Sequence, residues 1–373
     1  MAPTPGTNAL LPLGQGPRVI LYHQTNHLPN NGPPVSLLPL LTNNTGLTHV
    51  ILAALHLNDP AGHITLNDDP PSHPKFRTLW AETAWLQASG VKVLAMLGGA
   101  AQGSFARLDG PDTEKFEAHY QPLRDLIREH RLDGLDLDIE EPTSLPGTVR
   151  LIDRLREDFG SAFLITLAPV ATALLPGQPH LSGPAFDYAL LERMRGECIA
   201  WYNAQFYCGW GDAGSTAWYD AIIGLGWRQE KVVMGLVTNP GNGAGFVEWE
   251  RLRGVLETLR TRYPGFGGVM GWEYFNARPG GQEKPWEWAG RIASVIRKPF
   301  LPPPQQPQAQ QQVPIRPYGQ AASAQSLPQP QHNFPAESIK SLQDLGFSQQ
   351  QAVGALNMTN GNVEYAAGLL FQD

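Results

Sequence analysis

The chain has 373 residues, 42% of them hydrophobic, with 27 basic and 34 acidic side chains and a formal charge of −7. That length accommodates one large barrel-type domain, or two ordinary ones, with tails; with no block of Lys and Arg along the chain, nucleic acid is excluded as an expected partner. Cys198 and Cys208 are the only two cysteines, short of a disulfide framework and of a zinc set, and the plainer reading is a pair of reduced thiols in a cytosolic protein.

Residues 1–16 have the composition of a flexible tail. No basic residue precedes Arg18 and Pro interrupts the apolar patch "ALLPL", so no secretory signal is expected, and no later stretch has the length of a membrane span. From residue 17 to 299 apolar, β-branched runs alternate with helical patterns. The runs are "RVILY" (18–22), "HVILAAL" (49–55), "VKVLAML" (91–97), "LDGLDLDI" (132–139), "FLITLA" (163–168), "CIAWYNAQFY" (198–207), "KVVMGLV" (231–237) and "GGVMGW" (267–272). Eight strand candidates, separated mainly by helix candidates such as "EKFEAHYQPLRDLIREH" and with no Asn-Gly or Asp-Gly hairpin between them, predict an α/β fold with a closed parallel barrel. An open doubly wound sheet is the alternative, without a glycine fingerprint after its first strand to support it.

In "KFRTLWAETAWLQAS" the tryptophans Trp80 and Trp85 are expected in the core between helix and barrel, whereas Trp210 and Trp272 follow strand ends, the positions from which a barrel lines its site. "GGAAQGS" (98–104) reads as a loop above a strand, with no helix opening on it. His23 and His27 lack a third ligand for a metal, and lining of a cleft is the better reading.

"LDGLDLDIEEP" (132–142) places five carboxylates in a stretch otherwise built for burial. Alternation along a strand puts Asp136, Asp138 and Glu140 on one face and Leu135, Leu137 and Ile139 on the other. In a barrel the acids point inward and climb about 6–7 Å per two-residue step, so that Glu140 reaches the carboxyl-terminal rim. Asp133, out of parity, orients the strand start. Like charge and desolvation raise carboxyl pKa values, so one acid keeps its proton near neutral pH, and its position makes Glu140 the general acid. A solvated acidic face on a surface strand and a calcium loop are the competing readings; the apolar opposite face argues against the first, and the missing central glycine against the second.

Asp133-x-x-Asp136-x-Asp138-x-Glu140 resembles the signature of glycoside hydrolase family 18, chitinases and endo-β-N-acetylglucosaminidases on a TIM (β/α)8 barrel, and neighbouring segments agree over residues 17–298. The resemblance implies substrate-assisted chemistry that needs no cofactor or metal. Glu140 would protonate the glycosidic oxygen while the substrate's own acetamide attacks the anomeric carbon. Asp138 would orient that acetamide, Asp136 would modulate Asp138 from behind, and Tyr207 would hydrogen-bond the acetamide. Trp272 would form the floor under the reacting sugar, with Tyr22, Asn203, Gln205, Trp210, Gly98 and Gly99 on the substrate side. Chitinases of the family usually carry Ser-x-Gly-Gly on the third strand. Met96-Leu97-Gly98-Gly99 stands there instead, removing a hydroxyl expected beneath Asp136. The segments "WYNAQFYCGWG" and "GGVMGWEYFN" are similar to fungal endo-β-N-acetylglucosaminidases that cut the core of high-mannose N-glycans; N-acetylglucosamine oligomers are the other candidate substrate.

Residues 300–334 are a Pro/Gln tract whose composition predicts a disordered linker. Beyond it, residues 335–373 read as three short helices, with Ile339, Leu342 and Leu345 at threefold spacing, Gly346 ending the first helix, Ser348 and Gln351 forming a capping box and Asn362 capping the third. "LGF" and "NVEYAAGLL" resemble a ubiquitin-associated domain, which implies a ubiquitin-facing patch of Leu345, Gly346, Phe347, Leu369 and Leu370. The combined expectation is a cytosolic endoglycosidase tethered to a ubiquitin-binding module, with an endochitinase and a non-catalytic glycan-binding scaffold linked to ubiquitin as the alternatives; the intact Asp138 and Glu140 argue against the scaffold.

Overall fold

The computed structural model describes residues 11, 14–29, 32–298, 335–344, 347–358 and 363. The chain divides into two compact units, Met1–Pro299 and Phe300–Asp373. In the first, nine strands form one sheet: β1 (Arg18–His23), β2 (His49–Leu57), β3 (Ile64–Leu66), β4 (Lys92–Gly98), β5 (Gly134–Asp138), β6 (Leu164–Leu167), β7 (Trp201–Gln205), β8 (Val232–Val237) and β9 (Gly268–Trp272). All but β3 pair in parallel, and the additional β1–β2 pairing closes those eight into a barrel. The eight apolar runs of the sequence are the eight staves.

Alternation sorts the side chains of each stave. Val19, Leu21, Val93, Leu135 and Leu137 face outward and pack in the main core, while Ile20, Tyr22, Leu94, Met96, Trp201, Val233 and Met270 fill the barrel's interior. Helices such as Thr113–Glu129, Leu145–Phe159 and Trp249–Arg262 cover the outward set. Several helix starts are fixed by side chains that accept otherwise orphaned backbone N–H groups: Asp112 from Lys115, Ser144 from Gly147 and, at helix Tyr188–Arg195, Asp187 from Leu190. The first crossover is an exception, carrying only the single turn Pro39–Thr42.

Four local features differ from expectation. β3 does pair antiparallel with β2; its connection is closed by Asn58 N–H donating to the His63 carbonyl, and Gly62 supplies the φ of +94° in place of an Asn-Gly turn. A short helix, Ser104–Leu108, opens directly on the glycine-rich segment after β4. Trp85 is 65% exposed, because the buried face of helix Arg77–Ala88 runs through Leu79, Glu82, Thr83 and Leu86; Trp80 is half-buried and stacks on His130. Within the expected tail, Leu11 is tied down: its N–H donates to the Arg297 carbonyl, and its carbonyl accepts from the guanidinium of Arg297, which also bonds the Pro17 carbonyl. Arg297 is buried, and backbone carbonyls accept from both of its terminal guanidinium nitrogens.

In the second unit, helices Ala336–Asp344 and Gln349–Met358 pack through Ile339, Leu342, Ala352, Val353 and Leu356. Ser348 and Gln351 form the expected capping box, each side chain accepting from the other's backbone N–H. Phe347 is half-buried. Leu345, Gly346, Leu369 and Leu370, the rest of the expected patch, lie outside the described residues, as do the linker and, apart from Val363, the expected third helix. Among the described residues no helix is long and apolar enough to cross a membrane.

Candidate active site

β5 carries the acidic motif up the inside of the barrel. Asp136 lies opposite Met96 of β4 and Thr166 of β6, and Asp138 is level with Gly98. Asp136 is fully buried and accepts three hydrogen bonds, from Tyr22 Oη (2.6 Å), Thr166 Oγ1 (2.5 Å) and Asn203 Nδ2 (3.0 Å). Asn203 is itself set by Trp201 Nε1, which donates to its Oδ1 at 2.8 Å. Above, the Gln205 amide nitrogen lies 3.2 Å from Asp138 Oδ1, 3.2 Å from Glu140 Oε1 and 2.9 Å from the Ala168 carbonyl. One amide thus bridges the two upper acids and is anchored to the wall.

These carboxyls open into a cleft of about 460 Å³ at the carboxyl-terminal end of the staves, lined by Asp138, Glu140, Gln205, Tyr207, Trp210 and Trp272 among others. Gly98 and Gly99 line it too. A Cβ on Gly98 would stand 2.4 Å from the Asp138 carbonyl oxygen, and the backbone there has φ +97°, so the close approach of β4 to β5 is open only to glycine. Tyr22 and Asn203, expected on the substrate side, are instead sealed below the cleft with their polar atoms committed to Asp136. His23 lies on the outer face of β1 against Tyr274, fully buried, where burial lowers its pKa to about 3 and keeps it neutral. It does not line the cleft.

Electrostatics follow from burial. Asp138 is raised well above the ordinary carboxyl range by desolvation, then by the charges of Glu140 and Asp136. Glu140 is raised by desolvation, partly opposed by its hydrogen bond from Gln205. Asp136 is raised by burial, against which Thr166, Tyr22 and Asn203 all pull downward. The upper pair therefore holds a proton above the usual range, as a general acid requires. Tyr207 is pushed up by burial and by the charges of Asp138 and Glu140, so its phenol remains a hydrogen-bond donor.

A carboxyl with a raised folded pKa binds its proton more tightly folded than unfolded, so stability falls as pH climbs from the ordinary Asp range through the raised value. Asp138→Asn abolishes that loss. Its melting temperature at pH 7 is expected to exceed the parent's by about 2–4 °C, a gain that shrinks as pH falls toward 4; thermal melts at the two pH values check it.

Sequence reasoning missed several groups. Glu141 turns away from the cleft, and its carboxylate accepts from Gly103 N–H and Phe105 N–H at 2.8 Å each, fixing the start of helix Ser104–Leu108. His56 lines the cleft because the register of β2 shifts between Leu52 and Leu55, which reverses the alternation expected from Ile51. Asn242, on the turn after β8, also lines it and exchanges hydrogen bonds with Asn276. The Thr166 hydroxyl sits in a run that reads simply as strand.

Comparison with known proteins agrees with this geometry. Residues 18–239 match the profile of the glycosyl hydrolases family 18. The structure of chitinase ChiC from Aspergillus fumigatus is 60% identical, with a TM-score of 0.68 over 74% of this chain and 98% of that one. A fungal endo-β-N-acetylglucosaminidase of family 18 is 48% identical, with a TM-score of 0.72 over 76% and 99% of the two chains. Chitinase 2 of Rhizopus oligosporus is 28% identical over 205 residues, half of this chain and 34% of that protein. At the C-terminus, 39 residues are 62% identical to DNA damage-inducible protein 1 of Candida glabrata, 9% of that protein's length. The chain thus spans about a third of the first of these curated relatives and about a tenth of the second. With the motif on β5, the barrel around it and a profile match over more than half its length, the chain belongs to glycosyl hydrolase family 18.

Proposed function

We propose that the protein is a retaining, substrate-assisted endo-β-N-acetylglucosaminidase that cuts the di-N-acetylchitobiose core of N-glycans. The observation that carries the chemistry is the stack of Asp136, Asp138 and Glu140 on one stave, with only the upper two facing the cleft. No second carboxylate among the cleft-lining residues stands across from them to act as nucleophile, so the substrate's acetamide takes that role. Glu140 donates its proton to the departing oxygen, Asp138 orients the acetamide and balances the positive charge of the oxazolinium, and Tyr207 donates to it. Water, activated by the Glu140 carboxylate, then opens the ring with net retention.

A chitin-oligomer substrate is the second reading, favoured by the 60% identity to the Aspergillus chitinase. Incubation with a high-mannose glycoprotein and with chitin oligomers separates the two. Release of the glycan with one N-acetylglucosamine left on the asparagine, seen by mass spectrometry, is expected; cleavage of chitin oligomers alone would favour the second reading.

We further propose that the enzyme binds ubiquitin through its C-terminal unit, a reading prompted by the match to DNA damage-inducible protein 1, and acts in the cytosol on ubiquitinated glycoproteins. Two weak recognition events on one tether raise the effective concentration at a substrate bearing both marks. Removal of residues 335–373 is expected to slow cleavage of a ubiquitinated glycoprotein about tenfold or more while sparing a free glycopeptide. Equal losses on both would count against it.

A further inference from the structure

Asp136 has a neighbour on each side at its own level, Met96 of β4 and Thr166 of β6. On the β4 side Met96 offers only a thioether, a weak acceptor with nothing to donate to a carboxylate. Thr166 is fully buried, and its Oγ1 donates to Asp136 Oδ1 at 2.5 Å. We propose that Thr166 is the positioning residue that holds the charge of Asp136 beneath the catalytic pair, its hydroxyl serving from β6 the task left open on the β4 side.

The surroundings leave Asp136 few other supports. Its other donors are Tyr22 Oη and Asn203 Nδ2. The titratable groups that couple to it are Asp138 and Tyr22, with Tyr207 and Tyr188 farther out, and Glu140 stands beyond Asp138. Deeper in the interior lie the apolar Ile20, Ile51, Val233 and Met270, with Arg18 and His49 packed against Trp201 and bonded to none of the Asp136 oxygens. No ion pair to Asp136 occurs among the described residues. A buried anion without a cation is sustained by its hydrogen bonds, and Thr166 is the first of those that lower the Asp136 pKa. Loss of that donor lets Asp136 take up a proton at higher pH, which removes the negative charge under Asp138.

The inference rests on the catalytic reading of this cluster, and its test separates the two. In the full chain, Thr166→Val is expected to move the acid limb of the kcat profile upward by about one pH unit and to lower kcat about tenfold on its acid side, with KM little changed because Thr166 touches no part of the cleft. Thr166→Ser, which keeps the hydroxyl, should follow the parent profile. Thr166→Val combined with Met96→Ser should regain much of it, since position 96 flanks Asp136 from the other side. Thermal melts identify any variant that fails to fold, in which case Thr166→Ser against the double variant carries the comparison. Carboxyl-carbon NMR titration reads Asp136 directly, without turnover, and its midpoint should rise in Thr166→Val. An unmoved midpoint and acid limb, or Thr166→Ser behaving as Thr166→Val, would overturn the assignment. A chain that titrates as expected yet cuts neither glycoprotein nor chitin oligomer would sink the catalytic reading alone.

Discussion

Glu140→Gln is expected to lower kcat on an oligosaccharide by about 10³-fold, within the range for loss of a positioned general acid, with little change in ligand affinity. The substitution keeps the volume of the side chain and leaves an amide oxygen to accept from Gln205, which now lies 3.2 Å from Glu140 Oε1. It removes the one proton at the rim that can reach a departing oxygen. The loss should be smaller for an aryl glycoside, whose leaving group departs without protonation; a uniform loss across leaving groups would point to disturbed binding instead. Oligosaccharide titration of the variant separates the two, and unchanged turnover would remove Glu140 from the chemistry.

Much of this arrangement is legible along the chain because a stave buries both faces in different media. Leu135 and Leu137 meet helices while Asp136 and Asp138 meet the barrel's interior, and that contrast of apolar and acidic alternation is written in the residues themselves. Facing inward, however, is not the same as reaching the cleft. Tyr22 and Asn203 have the inward parity expected of them, yet the register of β1 and β7 sets them at the depth of Asp136; height in a barrel depends on stagger between staves, which no single strand encodes. His56 was hidden by the irregular register of β2, and Asn242 by its place on a turn, where no period exists to be read. Thr166 was hidden because a threonine in a strand is ordinary, and only its partner across the ladder makes its hydroxyl meaningful.

The second large effect concerns the substrate. If its own acetamide supplies the attacking oxygen, the protein needs no nucleophile of its own, which is the arrangement the cleft presents: two adjacent acids bridged by Gln205, and a neutral phenol at Tyr207. The most direct test is to compare hydrolysis of a β-1,4 disaccharide glycoside bearing the 2-acetamido group on the reacting sugar with the same compound bearing a 2-hydroxyl, following the anomer first released by NMR. Expected is a rate lower by about 10³-fold or more without the acetamide, the scale of losing an intramolecular nucleophile, and release of the β-anomer from the acetamido compound. Comparable rates on the two compounds, or first release of the α-anomer, would contradict substrate assistance by this cluster.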